Sequence, residues 1–114
     1  MKINEITQLL NAKIICGHEY IDHPIKHGFA SDLMSDVLTI DTDCILLITG
    51  LCNLQTIRTA EMADIQCILF VRDKKASPEM IAIAEENHMV LMECSFSLFN
   101  AVGILYQSGL KPVY

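Results

Sequence analysis

The stretch Cys44-Ile45-Leu46-Leu47-Ile48-Thr49-Gly50, continued by the turn Leu51-Cys52-Asn53, decides the fold. Its apolar residues run without the alternation of a half-exposed strand, which is the pattern of a parallel strand buried on both faces. The run stops at a glycine, where a helix can begin. In open parallel sheets, ligands gather outside the carboxyl ends of strands, beside the first turns of the following helices. The same turn is therefore the first place to look for function.

Toward the carboxyl terminus the pattern repeats. Asn53 suits the N-cap of a helix running to about Ala63, with Leu54, Ile57 and Ala60 at inward spacing. Gln66-Cys67-Ile68-Leu69-Phe70-Val71 is a second unalternating strand. Ser77-Pro78-Glu79 then opens a helix: a capping hydroxyl, a proline at the first helical position and an acid near the positive end of the dipole. Its stripe is Met80, Ile81, Ile83 and Ala84, and it ends near Asn87 or His88. Met89-Val90-Leu91-Met92 is a third strand. Ser95 is placed to cap a last helix carrying Phe96, Leu98, Phe99, Val102, Leu105 and Tyr106, which Gly109 terminates.

The first half is less regular. Ile3, Ile6, Leu9 and Leu10 share a helical face that Asn11 ends, and Lys13 to Gly17 reads as a short strand. Pro24 cannot donate to a ladder, so Pro24 to Phe29 reads as an irregular or edge-strand segment. Ser31 is placed to cap a helix with Asp32 at its positive end and Leu33, Met34, Val37 and Leu38 as its stripe. Strand, helix, strand, helix, strand, helix is the signature of βαβ crossovers around a parallel sheet. The expected fold is α/β: a single compact domain over residues 1–114, with a mainly parallel central sheet and flanking helices. The first half is expected to add a further helix-strand layer.

Composition narrows the function classes. The 114 residues are 52% hydrophobic but only 6% aromatic, so the core is aliphatic. Charged residues make up 19%, below the roughly 25% of average soluble domains, which leaves apolar surface for a partner and makes a homodimer the expected assembly. The formal net charge of −6 argues against nucleic acid, since phosphate neutralisation needs clustered Lys and Arg. Cys16, Cys44, Cys52, Cys67 and Cys94 have no repeated spacing and read as reduced core thiols of a cytoplasmic protein. The polar start Met1-Lys2-Ile3-Asn4-Glu5 does not look like a signal peptide, and no apolar run approaches the roughly 20 residues of a membrane span.

The order and spacing of several blocks resemble the DRTGG domain. This module occurs in the amino-terminal part of long-form phosphotransacetylases, beside CBS-domain pairs, and as stand-alone bacterial proteins. The blocks are Asn11 to Gly17, Ala30 to Leu38, Ile45 to Thr49, Ile57 to Met62, Ile68 to Val71 and Ala84 to Met92, spanning essentially the whole chain. The resemblance implies a regulatory, non-catalytic domain, with a distant likeness to the amino-terminal domain of HPr kinase. No Gly-x-x-x-x-Gly-Lys-Ser/Thr loop for phosphoryl transfer is present. The residues that name the family are replaced: Cys52-Asn53 stands where its Asp-Arg pair is expected, and Val71-Arg72-Asp73 where its Thr-Gly-Gly is.

The candidate ligand-binding residues are Thr49, Gly50, Cys52 and Asn53 in the strand-to-helix turn, where backbone amides at a helix start can hold an anion. Arg58 and Arg72 are the candidate charge partners. The same turn also reads as plain structure, a tight glycine turn with an Asn cap, and the two arginines as solvated surface. Cys52 at a helix start invites a thiolate reading, but a nucleophile needs a base and no His adjoins it in sequence. His18, Glu19, Asp22, His23 and His27 invite a metal reading that Pro24 weakens, because the spacing of His23 and His27 serves only in a helix. No catalytic residue, metal or cofactor is therefore assigned. The expected partners are a second copy of the chain, a small anionic metabolite or nucleotide at the carboxyl-end rim, and a partner enzyme, with neither nucleic acid nor membrane. The alternative is a structural dimerisation or docking module that binds no small molecule.

Overall fold

The computed structural model describes residues 1–114. Its elements are α1 (Ile3–Leu10), β1 (Lys13–Cys16), a 3-10 turn (His18–Tyr20), β2 (His27–Ala30), α2 (Met34–Val37), β3 (Ile45–Thr49), α3 (Leu54–Met62), β4 (Cys67–Phe70), α4 (Pro78–Glu86), β5 (Val90–Glu93), α5 (Leu98–Gln107) and β6 (Lys111–Pro112). They build one six-stranded sheet in the order β1-β5-β4-β3-β2-β6, parallel throughout except for β1 against β5.

Every residue of β3, β4 and β5 is buried, which is why these strands lack a polar alternation. Successive side chains enter opposite cores. Leu46, Ile48, Leu69 and Met92 pack beneath α1 and α5, while Ile45, Leu47, Phe70 and Leu91 pack beneath α2, α3 and α4. The strands β2 to β5 advance across the sheet one place at a time with their connecting helices on one face. The chain then returns over the other face through α5 to lay β6 beside β2.

Helix ends follow local chemistry. The Asn53 side chain accepts from the Thr56 amide at 3.1 Å, and Ser77 Oγ accepts from the Met80 amide at 3.2 Å. Asp64 and His88 adopt left-handed conformations (φ 58° and 57°) just beyond α3 and α4, and the next amides, of Ile65 and Met89, reach back to the Ala60 and Ala84 carbonyls.

Several expectations are corrected. The first half is not a further layer: β1 and β2 join the same sheet on either side of the buried strands. The segment with Pro24 does carry a strand, but only from His27, and β6 covers its first two residues. Ser31 does not cap a helix. Its Oγ takes the Leu33 amide in a local turn, and α2 is a short piece that buries only Met34 and Val37, leaving Leu33 and Leu38 exposed. Ser97, not Ser95, caps α5, which leaves Phe96 in the preceding loop. The thiols are all free, but Cys44 and Cys52 are only half-buried and so lie outside the core proper. Cys44 precedes β3 rather than opening it, in a left-handed conformation (φ 56°).

Candidate functional site

Parallel β2, β3, β4 and β5 end at one edge of the sheet, and their ends and the loops that follow gather polar residues there, among them Asp32, Thr49 with Gly50, Arg72 and Glu93. The loops are tied to each other. The Val71 amide donates to Thr49 O, Arg72 N to Phe96 O at 2.8 Å, and Asp73 N to Cys94 O at 2.9 Å. Holding both amides this way puts Arg72 and Asp73 in the left-handed region, each at φ 60°, which is costly for residues with a Cβ.

Asp32 Oδ1 accepts from Gly50 N and from Thr49 Oγ1, both at 2.8 Å, and Thr49 Oγ1 in turn accepts from the Leu51 amide at 3.1 Å. The Gly50 amide, the Thr49 hydroxyl and, more weakly, the Arg72 guanidinium hold the Asp32 carboxyl below the usual carboxylate range. The Arg72 side chain crosses Gly50 so closely that a Cβ there would lie 2.8 Å from Nη2 and 2.9 Å from Nε. This approach, rather than a backbone angle, is what glycine at position 50 accommodates: any side chain there would displace the arginine.

The turn therefore spends most of its polar groups on itself. Thr49 is buried and bonded in both directions, the Gly50 amide belongs to Asp32, and the Asn53 side chain caps α3. What remains is the exposed Arg72 guanidinium, which has no ion pair, and the amides of Cys52, Asn53 and Leu54, which have no acceptor within the protein. The structure thus brings Thr49, Gly50, Cys52, Asn53 and Arg72 to one edge. Arg58 is exposed on the second turn of α3 and makes no hydrogen bond or ion pair.

Two polar residues escaped the sequence reading. Asp32 looked like a local helix residue, yet it reaches a loop 18 residues away. Glu93 is only 6% exposed; its Oε2 accepts from the Ala76 amide at 2.8 Å and its Oε1 lies 3.7 Å from Lys75 Nζ. An acid ending an otherwise apolar strand was the available signal, since buried carboxylates are rare without partners.

Cys52 is a poor nucleophile here. Burial, and next the Glu93 carboxylate, raise its thiol above the ordinary range, opposite to what a thiolate needs. His18, His23, His27 and His88 all sit at the other end of the sheet: His23, His27 and His88 at or before the amino ends of β2 and β5, and His18 just after the antiparallel β1. No three His, Cys, Asp or Glu side chains are grouped to hold a metal ion. No helix is long and apolar enough to cross a membrane.

The strands and this rim define an α/β domain with a six-stranded, mostly parallel sheet. No protein-family model matches the sequence, and no curated protein matches it. Among solved structures the chain is similar to the CBS and DRTGG domains of the regulatory region of Clostridium perfringens pyrophosphatase, determined with its activator, diadenosine tetraphosphate. The TM-score is 0.77 at 17% identity, over 98% of this chain and 48% of that chain, so this chain matches about half of the other. The likeness is one of fold.

Proposed function

We propose that this chain is a non-catalytic, ligand-sensing regulatory domain that takes a small anionic metabolite or nucleotide at the carboxyl-end rim. The observations that carry the reading are the Arg72 guanidinium lying across Gly50 without an ion pair, and the unbonded amides of Cys52, Asn53 and Leu54 that follow in the same turn. A cation and free amide donors on the turn that opens a helix favour an anion. The similarity of the fold to a regulatory region that binds a nucleotide activator supports the same class of ligand. Thr49, Gly50 and Asn53 would hold the turn in shape, Cys52 would line it, and Arg58 would meet only a ligand long enough to reach along α3. Binding would change how the domain docks on a partner enzyme in the cytoplasm.

Thermal shift and calorimetry against a panel of nucleotides and phosphorylated or carboxylate metabolites test the proposal. It expects stabilisation by at least one anionic compound in the parent chain and its loss in Arg72→Ala. No response to any of them contradicts it.

A second reading rests on α5. Phe99 is 89% exposed and Tyr106 66% exposed on one side of that helix, with half-buried Val102 between them. Such a stripe suits a homodimer, in which the chain would serve as a structural dimerisation or docking module. Sedimentation of the parent chain and Phe99→Glu separates this reading from a monomeric sensor.

A further inference from the structure

Opposite the carboxyl-end rim, at the amino ends of β3, β4 and β5, the fold forms an open cleft of about 510 Å³. That volume is within the roughly 300–1,000 Å³ of small-molecule sites. Its floor is apolar: Ile3, Ile25, Ile45, Cys67 and Val90 are all buried residues of the core. Tyr20, His23 and His88 form an aromatic wall, with the Tyr20 and His23 ring centroids 5.2 Å apart and Tyr20 Oη 3.3 Å from His88 Nδ1. An apolar floor with aromatic sides is the form of a site for an organic ligand.

The sign of the charge at the mouth selects among such ligands. Asp41, Asp43 and Asp64 line the cavity and no Lys or Arg does. None of the three carboxylates has an ion pair or a hydrogen bond within the protein, although Asp and Lys pair elsewhere in the chain. They are too dispersed to close on a bare metal ion, since no such group is formed anywhere. A second cavity of about 220 Å³ adjoins this one across the Tyr20–His88 pair and adds Glu19 and Glu85, so the negative sign continues. An anion is disfavoured here, and an organic cation finds apolar contact, aromatic faces and uncompensated carboxylates together.

We infer that the amino-end cavity is a binding site for a small organic cation, an amine or guanidinium compound with an apolar body. The site is separate from the proposed anion rim and opposite to it in the charge of its ligand.

Phenethylamine is a suitable probe, with 2-phenylethanol and phenylacetate as its neutral and anionic counterparts. Amide NMR of the full chain follows each titration. Phenethylamine is expected to move the amides of Cys44, Gln66 and Val90 saturably, at least tenfold more tightly than either counterpart and more weakly as salt rises. The variant carrying Asp43→Asn and Asp64→Asn is expected to lose at least tenfold in affinity while keeping its melting temperature, because neither carboxylate has a partner to lose and Asn tolerates the left-handed backbone of position 64. Arg72→Ala is expected to leave phenethylamine binding unchanged, so failure of the rim and failure of this cavity are distinguishable. Absence of saturable shifts at those amides, equal binding of 2-phenylethanol, or undiminished binding to the double variant would overturn the inference.

Discussion

Asp32 Oδ1 lies 2.8 Å from the amide nitrogen of Gly50, so the chain's own carboxylate occupies the donor nearest the end of β3. Under the proposed function an incoming anion would bind one step further on, at the amides of Cys52 to Leu54 and at Arg72, and would meet Asp32 as a like charge. Asp32→Asn should therefore act in opposite directions on the two properties. Stability should fall by about 1 kcal/mol, a charge-assisted bond discounted for its exposed setting, while affinity for an anionic ligand should rise several-fold. Denaturant unfolding and calorimetry of the same variant measure both.

The same bond sets a pH dependence. The folded-state pKa of Asp32 is depressed below its ordinary value of about 3.8. Its contribution is thus fully present above that pH and is lost as pH falls through the folded value. The stability difference between the parent chain and Asp32→Asn should be constant from pH 5 to 7 and shrink below about pH 3.8. Urea midpoints at a series of pH values check this.

Glu93 tests a buried acceptor. Glu93→Ala leaves the Ala76 amide without its partner and should cost about 1–3 kcal/mol, whereas Glu93→Gln retains an acceptor oxygen and should cost less. Equal losses in the two variants would show that the carboxylate charge, not the acceptor, matters.

Two glycines should respond differently to alanine. At Gly17 the backbone is left-handed (φ 84°), and a Cβ would lie 2.8 Å from the Met89 carbonyl oxygen, which cannot move without disturbing β5. Gly17→Ala should destabilise by about 2 kcal/mol or more. At Gly50 the obstacle is the far end of a flexible arginine, so Gly50→Ala should be tolerated within about 1 kcal/mol while displacing Arg72 and weakening anion binding.

Cys52 should react sluggishly. With its thiol pKa raised by burial and the Glu93 charge, alkylation by iodoacetamide at pH 7.5 should be slower than that of free cysteine and should accelerate above pH 9. Rapid labelling at neutral pH would restore the thiolate reading.

Most of the architecture was legible because it is written in local or strongly buried segments. β3 and β4 are unbroken apolar runs, and Asn53 and Ser77-Pro78 mark helix starts that the side chains make good through bonds to Thr56 and Met80. What stayed hidden depends on distant partners. β2 and β6 are short and become strands only by pairing with each other and with β3. Ser95 and Ser97 are equally suitable caps in sequence. The ties from Arg72 and Asp73 to the Phe96 and Cys94 carbonyls hold residues 94–96 in a loop, so the helix starts later. Asp32 carries no local sign that its acceptor serves Gly50. The amino-end cavity collects residues from positions 3 to 90, which no motif spacing reveals.

Amide NMR of the full chain titrated with nucleotides, diadenosine tetraphosphate among them, tests for the proposed regulatory anion site at the carboxyl-end rim. The predicted result is saturable movement greatest at Leu51 to Leu54 and Arg72, abolished by Arg72→Ala. Movement confined to the amino-end residues, or no saturable movement with any anionic compound, would contradict it.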